Sequence, residues 1–177
     1  MVTRVVFAVP GDLATPTGGY AYDRRIIAEL RKLGWQVDIV DLGEGFPRPG
    51  DDGKSRARAT LMGLPQACPV VVDGLALGVL PEAAQELSAR NPLVALVHHP
   101  LGYEAGLTSA QSAALVALER AALRFAAHII VTSAPTRDTL VSDFAVEADA
   151  PRFEPYYAMF HADGGPDSQF ALFRPFA

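Results

Sequence analysis

The sequence predicts an α/β domain built on a doubly wound parallel sheet, and three observations carry that reading. Short apolar runs alternate with stretches of helical period along the chain. The runs are apolar nearly throughout, as in strands covered on both faces. At 177 residues the chain is long enough for one domain with a substantial core, or for one half of a larger two-domain protein.

The first run, Arg4-Val-Val-Phe-Ala-Val-Pro10, reads as a strand, followed by the loop Gly11-Asp-Leu-Ala-Thr-Pro-Thr-Gly-Gly19. A helix comes next, with Tyr22, Ile26, Ile27, Leu30 and Leu33 on its apolar face and Arg24, Arg25, Glu29, Arg31 and Lys32 opposite. Gly34 stops it, and Trp35 to Leu42 alternates as a second strand. Gly43 to Gly53 reads as loop and Ser55 to Leu64 as a short helix. Pro69 to Gly74 is a buried strand with Asp73 and Gly74 at its end, ahead of a helix over Leu80 to Ala89. Pro92 to Pro100 is another, ending in His98 and His99. Thr108 caps the longest helical pattern, which runs to Ala127 with Leu115, Leu118, Ala122 and Phe125 on one side. His128 to Ser133 closes the series as a strand, and Ser133 caps a helix through Phe144. The whole is a Rossmann-like arrangement over residues 1–149, with 150–177 set apart by composition. Five of the nine phenylalanines fall in the last 27 residues without a period, which reads as a docking segment, a homo-oligomer contact or a truncation.

Composition narrows the function classes. Half the residues are hydrophobic, a fifth are charged and the net charge is −5, which speaks against nucleic acid as the main partner. Met1-Val-Thr-Arg-Val-Val-Phe enters a strand without a signal-peptide pattern, and no run of 18 apolar residues occurs, so the cytoplasm is the expected compartment. The single cysteine, Cys68, can form no internal disulfide and reads as an apolar filler. The basic residues Arg24, Arg25, Arg31 and Lys32 could face anionic lipid, although such a run is commonly a solvated helix face.

Candidate site residues gather at the ends of strands, where ligands bind in open parallel sheets. Gly18 and Gly19 sit where a helix begins, so backbone N–H groups there favour an anion such as a phosphate. The loop before them lacks the spacing of a dinucleotide fingerprint, and no Gly-Lys-Ser or Gly-Lys-Thr follows as in a P-loop. Tyr20, Asp73, His98, His99 and Ser133 complete the set. Asp41, near the end of the second strand, could bind a ribose in a nicotinamide-dependent oxidoreductase, a reading the missing fingerprint weakens.

The glycine pair, the helix Tyr20-Ala-Tyr-Asp-Arg-Arg-Ile-Ile-Ala-Glu-Leu-Arg-Lys-Leu-Gly34, the strand end Val97-His-His-Pro100, and Leu118 to Ser133 together resemble the N-terminal domain of retaining group-1 glycosyltransferases of the GT-B fold. The resemblance covers residues 4 to 146. It implies an acceptor-side domain facing a second, donor-holding one across a cleft, with transfer from a nucleotide sugar and no cofactor or obligate metal. It also implies that Gly18 and Gly19 approach the donor diphosphate and the acceptor, that His99 lies near the transferred sugar with His98 beside it, that Glu119 is structural, and that Ser133 matches a serine at the end of the next strand. The family's basic pair and Glu-x7-Glu pair have no counterpart after residue 146, so the chain alone is expected to be inactive. The alternative is a non-catalytic Rossmann-like binding or dimerisation module.

Overall fold

The computed structural model describes residues 4–146 and the backbone of Phe153–Pro155. Six parallel strands form one sheet in the order β2-β1-β3-β4-β5-β6: β1 is Arg4–Val9, β2 Gln36–Asp41, β3 Val70–Asp73, β4 Leu93–Val97, β5 His128–Val131 and β6 Phe153–Pro155. The helices are α1 (Gly18–Lys32), α2 (Asp51–Met62), α3 (Gly74–Leu77), α4 (Pro81–Ser88), α5 (Ser109–Leu123) and α6 (Ala134–Asp143). The doubly wound α/β class read from the sequence is the observed one.

Strand parity divides the core in two, because successive side chains leave opposite faces of a sheet. Val6, Ala8, Val70, Val72, Leu93, Ala95, Val97, Ile129 and Val131 pack with the buried residues of α2, α4, α5 and α6. Val5, Phe7, Val71, Val94, Leu96 and Ile130 face the other way, with Tyr22, Ile26, Ile27 and Leu30 of α1. Both sides of β1, β3 and β4 are thereby dry, which is why these strands read as unbroken apolar runs. Register confirms the parallel pairing, with Val6 opposite Val70 and Val70 opposite Leu93.

Several boundaries move relative to the sequence reading. Gly18 and Gly19 are the first two residues of α1 and not the end of the loop, with Thr17 as the cap accepting from Tyr20 N. Helix α2 begins at Asp51, inside the stretch read as loop, with Asp51 and Asp52 in its first turn, where carboxylates suit the helix dipole. Helix α3 is an added turn that the sequence reading leaves out, and α5 ends at Leu123 rather than Ala127. The expected caps Thr108 and Ser133 are in place, Thr108 within a full capping box.

Among the described residues no helix is long and apolar enough to cross a membrane. The basic face of α1 is engaged within the chain: Arg24 donates to the Leu13 and Thr15 carbonyls, Arg31 to the Val37 carbonyl, and Arg25 and Lys32 reach Glu29 at 3.0 and 2.9 Å. Cys68 is buried just ahead of β3, and burial pushes its thiol pKa up. Within the segment 150–177 the backbone of Phe153–Pro155 pairs with β5. The reading of that segment as a docking, oligomer or truncation tail otherwise lies outside the described residues.

Candidate functional site

The strand order reverses at β1, which lies between β2 and β3, and a crevice opens where the loops after β1 and β3 part. A cavity of about 570 Å³ occupies that crevice, within the range of small-molecule sites. Gly19, Tyr20, Asp73, His98 and His99 all line it, so the structure brings together five of the seven candidate residues. Gly18 and Ser133 are not in its lining. A Cβ on Gly18 would meet open space, and the Ser133 hydroxyl caps α6 by accepting from Thr136 N at 3.2 Å.

His98 is the most constrained of these side chains. Its Nε2 lies 3.0 Å from Asp23 Oδ1 and 3.9 Å from Asp73 Oδ2, and its ring stands edge-on to Tyr22 with centroids 5.5 Å apart. Two threonines, Thr132 and Thr136, donate to its carbonyl at 3.2 Å each, fixing the backbone at the end of β4. His99 is exposed at the mouth of the cavity. Asp73 closes β3 and caps α3, its Oδ1 accepting from Leu75 N at 2.7 Å.

Asp23, a residue the sequence reading passes over, is fully buried on α1. The signal was present: Asp23 lies three, four and seven residues before Ile26, Ile27 and Leu30, on the apolar face. An acid in that stripe stays buried only with a partner, and the partner comes from β4, 75 residues away.

Two buried carboxylates beside one imidazole set the local electrostatics. Burial and the Asp23 charge push Asp73 up to about 6, against the pull of His98 and of the Leu75 N–H. Burial draws the His98 pKa down, but the hydrogen bond and charge of Asp23, with the charge of Asp73, carry it above the ordinary imidazole value. Tyr20 donates its hydroxyl to the Pro10 carbonyl, and burial followed by the charges of Asp73, Asp23 and Asp41 pushes its pKa up to about 12. Asp23, Asp73 and His98 have ligand atoms within 4.8 Å of one another, so they form the one group among the described residues able to hold a cation.

The other charged side chains of the lining are acidic. Asp12, Glu44 and Glu104 join Asp73 around the cavity, and among the described residues no lysine or arginine lines it. Asp41 accepts from Gly11 N at 2.8 Å and from Gly43 N at 2.7 Å, so its Oδ1 ties the two loops together.

Gly19 shows why a side chain is missing at the helix start. A Cβ there would stand 3.2 Å from His98 Cδ2, closer than ordinary contact. Gly19→Val is expected to displace the imidazole from Asp23 and to lower the melting temperature, because the fully buried carboxylate then loses its partner. Loss of the raised His98 pKa in an NMR titration, together with a lower melting temperature, is the expected result.

In comparison with known proteins, no protein-family model and no curated protein matches this chain.

Proposed function

We propose that the chain is the acceptor-side unit of a glycosyltransferase that moves a sugar from a nucleotide-sugar donor to a hydroxyl-bearing acceptor. The lining of the cavity carries this reading: four carboxylates, two histidines and the rings of Tyr20 and Phe46, with no cationic side chain among the described residues. Carboxylates and imidazoles take hydrogen bonds from hydroxyls, and aromatic rings cover the apolar faces of a sugar. The resemblance of residues 4 to 146 to group-1 glycosyltransferases supplies the reaction class.

In transfer, the bond from the anomeric carbon to the diphosphate oxygen breaks, a bond to the acceptor oxygen forms, and the proton of the acceptor hydroxyl passes to the leaving diphosphate. The leaving diphosphate needs positive charge or aligned N–H donors. Among the described residues near the cavity, the N–H groups of Gly18 and Gly19 at the start of α1 are of that kind. The acidic lining opposes a diphosphate deeper in, so the donor nucleotide belongs to a second unit, and this chain alone binds sugar without turning it over. On this reading His99, exposed in the cavity lining, meets the transferred sugar, and the less exposed His98 meets the group seated deeper.

Saturation-transfer NMR on the chain, with UDP-, GDP- and ADP-sugars, free hexoses, inositol and NAD, tests the reading. Sugar-ring protons are expected to receive saturation, and His98→Ala is expected to weaken the best ligand about tenfold, the loss of one hydrogen bond of about 1.4 kcal/mol. Saturation of NAD with none of any sugar would overturn it.

A further inference from the structure

The groups around His98 constrain one edge of the ring far more than the other. Nε2 faces Asp23 Oδ1 at 3.0 Å, and Cδ2 on the same edge faces the backbone of Gly19. Asp23 is fully buried, and its second oxygen, Oδ2, is enclosed without a hydrogen-bond partner among the described residues. Leaving a buried carboxylate oxygen unmet costs stability. A helix residue that served packing alone would be better apolar at this position. The other ring nitrogen, Nδ1, has no partner among the described residues and is not among the enclosed polar atoms, so it is the polar atom His98 offers to the cavity it lines.

We propose that Asp23 is the positioning residue of this site: by accepting the Nε2–H of His98 it holds the neutral ring as the tautomer with a bare Nδ1, which accepts a hydrogen bond from an uncharged, hydroxyl-bearing part of the ligand. A neutral imidazole has one nitrogen that donates and one that accepts, whereas an ionised carboxylate only accepts. With Asp23 on Nε2 the proton is fixed there. Nδ1 then presents a lone pair, which attracts a hydroxyl and repels a phosphate oxygen. The carboxylates Asp12, Glu44, Asp73 and Glu104 around the same cavity reinforce that choice. The tautomer stands on geometry alone, and the nature of the group it meets rests on the sugar-binding reading above.

Protonation of His98 converts Nδ1 from acceptor to donor, so binding should depend on pH. The groups that face His98 are Asp23 and Tyr22 from α1 and Asp73 from the end of β3, with His99 next to it in the chain. Both carboxylates favour the charged ring. The contact in which a hydroxyl donates to Nδ1 therefore forms as the ring loses its proton, and in the charged ring Nδ1 donates instead.

The experiment is a 15N-detected titration of the His98 ring in the 177-residue chain, for wild type and Asp23→Asn, followed by addition of inorganic pyrophosphate. In the wild type, above its pKa, the proton is expected on Nε2 alone. In Asp23→Asn the pKa is expected to fall, since burial then acts with less opposing charge. Removing any charge 3.0 Å from Nε2 would move that pKa, so the tautomer is the readout that separates positioning from a merely structural role. A proton on Nδ1, a mixture of tautomers, or an unmoved pKa would overturn the positioning role, and if the variant does not fold the wild-type tautomer decides alone. Above the His98 pKa, pyrophosphate is expected to leave Nδ1 unprotonated, and saturable protonation of Nδ1 on its addition would overturn the uncharged-ligand assignment. Correct tautomer with no sugar in the saturation-transfer panel would sink the glycosyltransferase reading and leave the positioning role intact.

Discussion

Gly102→Val is expected to lower the melting temperature by about 6–12 °C, from a loss of about 3 kcal/mol at roughly 2–4 °C for each kcal/mol in a chain of this size. Gly102 sits in the 3-10 turn Leu101–Tyr103, pressed onto α5. A Cβ there would overlap Val116 Cγ2 and stand 3.0 Å from the Ser112 carbonyl oxygen and 3.2 Å from the Val116 nitrogen. The Val116 side chain can turn aside, but the helix backbone cannot. The Ser112 hydroxyl, which donates to the Gly102 carbonyl at 2.7 Å, would lose its acceptor as the turn lifts. That turn also carries Leu101 into the cavity wall, so ligand affinity should fall with stability. A melting curve unchanged within 2 °C, against this expectation, would mean that the turn is not docked on α5 as described.

The second large effect comes from Glu119 on the same helix. Its side chain is only 1% exposed, with Oε2 accepting from Leu101 N at 2.9 Å and Oε1 enclosed without a partner among the described residues. Burial, opposed by that one backbone hydrogen bond and aided by the charge of Glu104, pushes its pKa up to about 8. A folded-state pKa above the unfolded one means that the native chain holds the extra proton. The resulting stability is complete below the unfolded value and is lost as pH rises through the folded value. Wild type should therefore lose roughly 2–4 kcal/mol between acid pH and a pH above 8, the cost of ionising a buried carboxyl. Glu119→Gln keeps an acceptor for Leu101 N and cannot ionise, so it should melt close to wild type at pH 5 and clearly above it at pH 9. Parallel curves for the two proteins would show that Glu119 is already ionised in the folded chain. The resemblance implied a structural role for this residue, and a neutral acid holding the turn after β4 is consistent with one.

Both effects meet at the platform under the site, and they mark how far the sequence could be read. The strands were legible because burial on both faces leaves no alternation to misread: Val70–Asp73 and Leu93–Val97 are buried at every position. Caps were legible at Thr108 and Ser133, because a hydroxyl before an apolar period has a local reason to be there. The start of α2 was not, since Gly50 and Gly53 read as loop, whereas the turn is carried by Asp51 and Asp52 and by packing of Ala57 and Leu61. Convergence of Gly19, Asp73 and His98 on one cavity was legible from topology, since loops after parallel strands share an edge. The partner of His98 was not, because the Asp23 contact is tertiary and no local period names it. Nor was the acidity of the lining, which depends on where Asp12, Glu44 and Glu104 fall around the crevice.

The most direct test of the proposed sugar site is a crystal structure of the chain with the nucleotide sugar that gives the strongest saturation transfer. A sugar ring is expected in the crevice between the loops after β1 and β3, with a hydroxyl within hydrogen-bond distance of His98 Nδ1 and the phosphates away from the lining carboxylates. Phosphates lodged beside Asp73, or a ligand bound elsewhere with the crevice left to water, would contradict it.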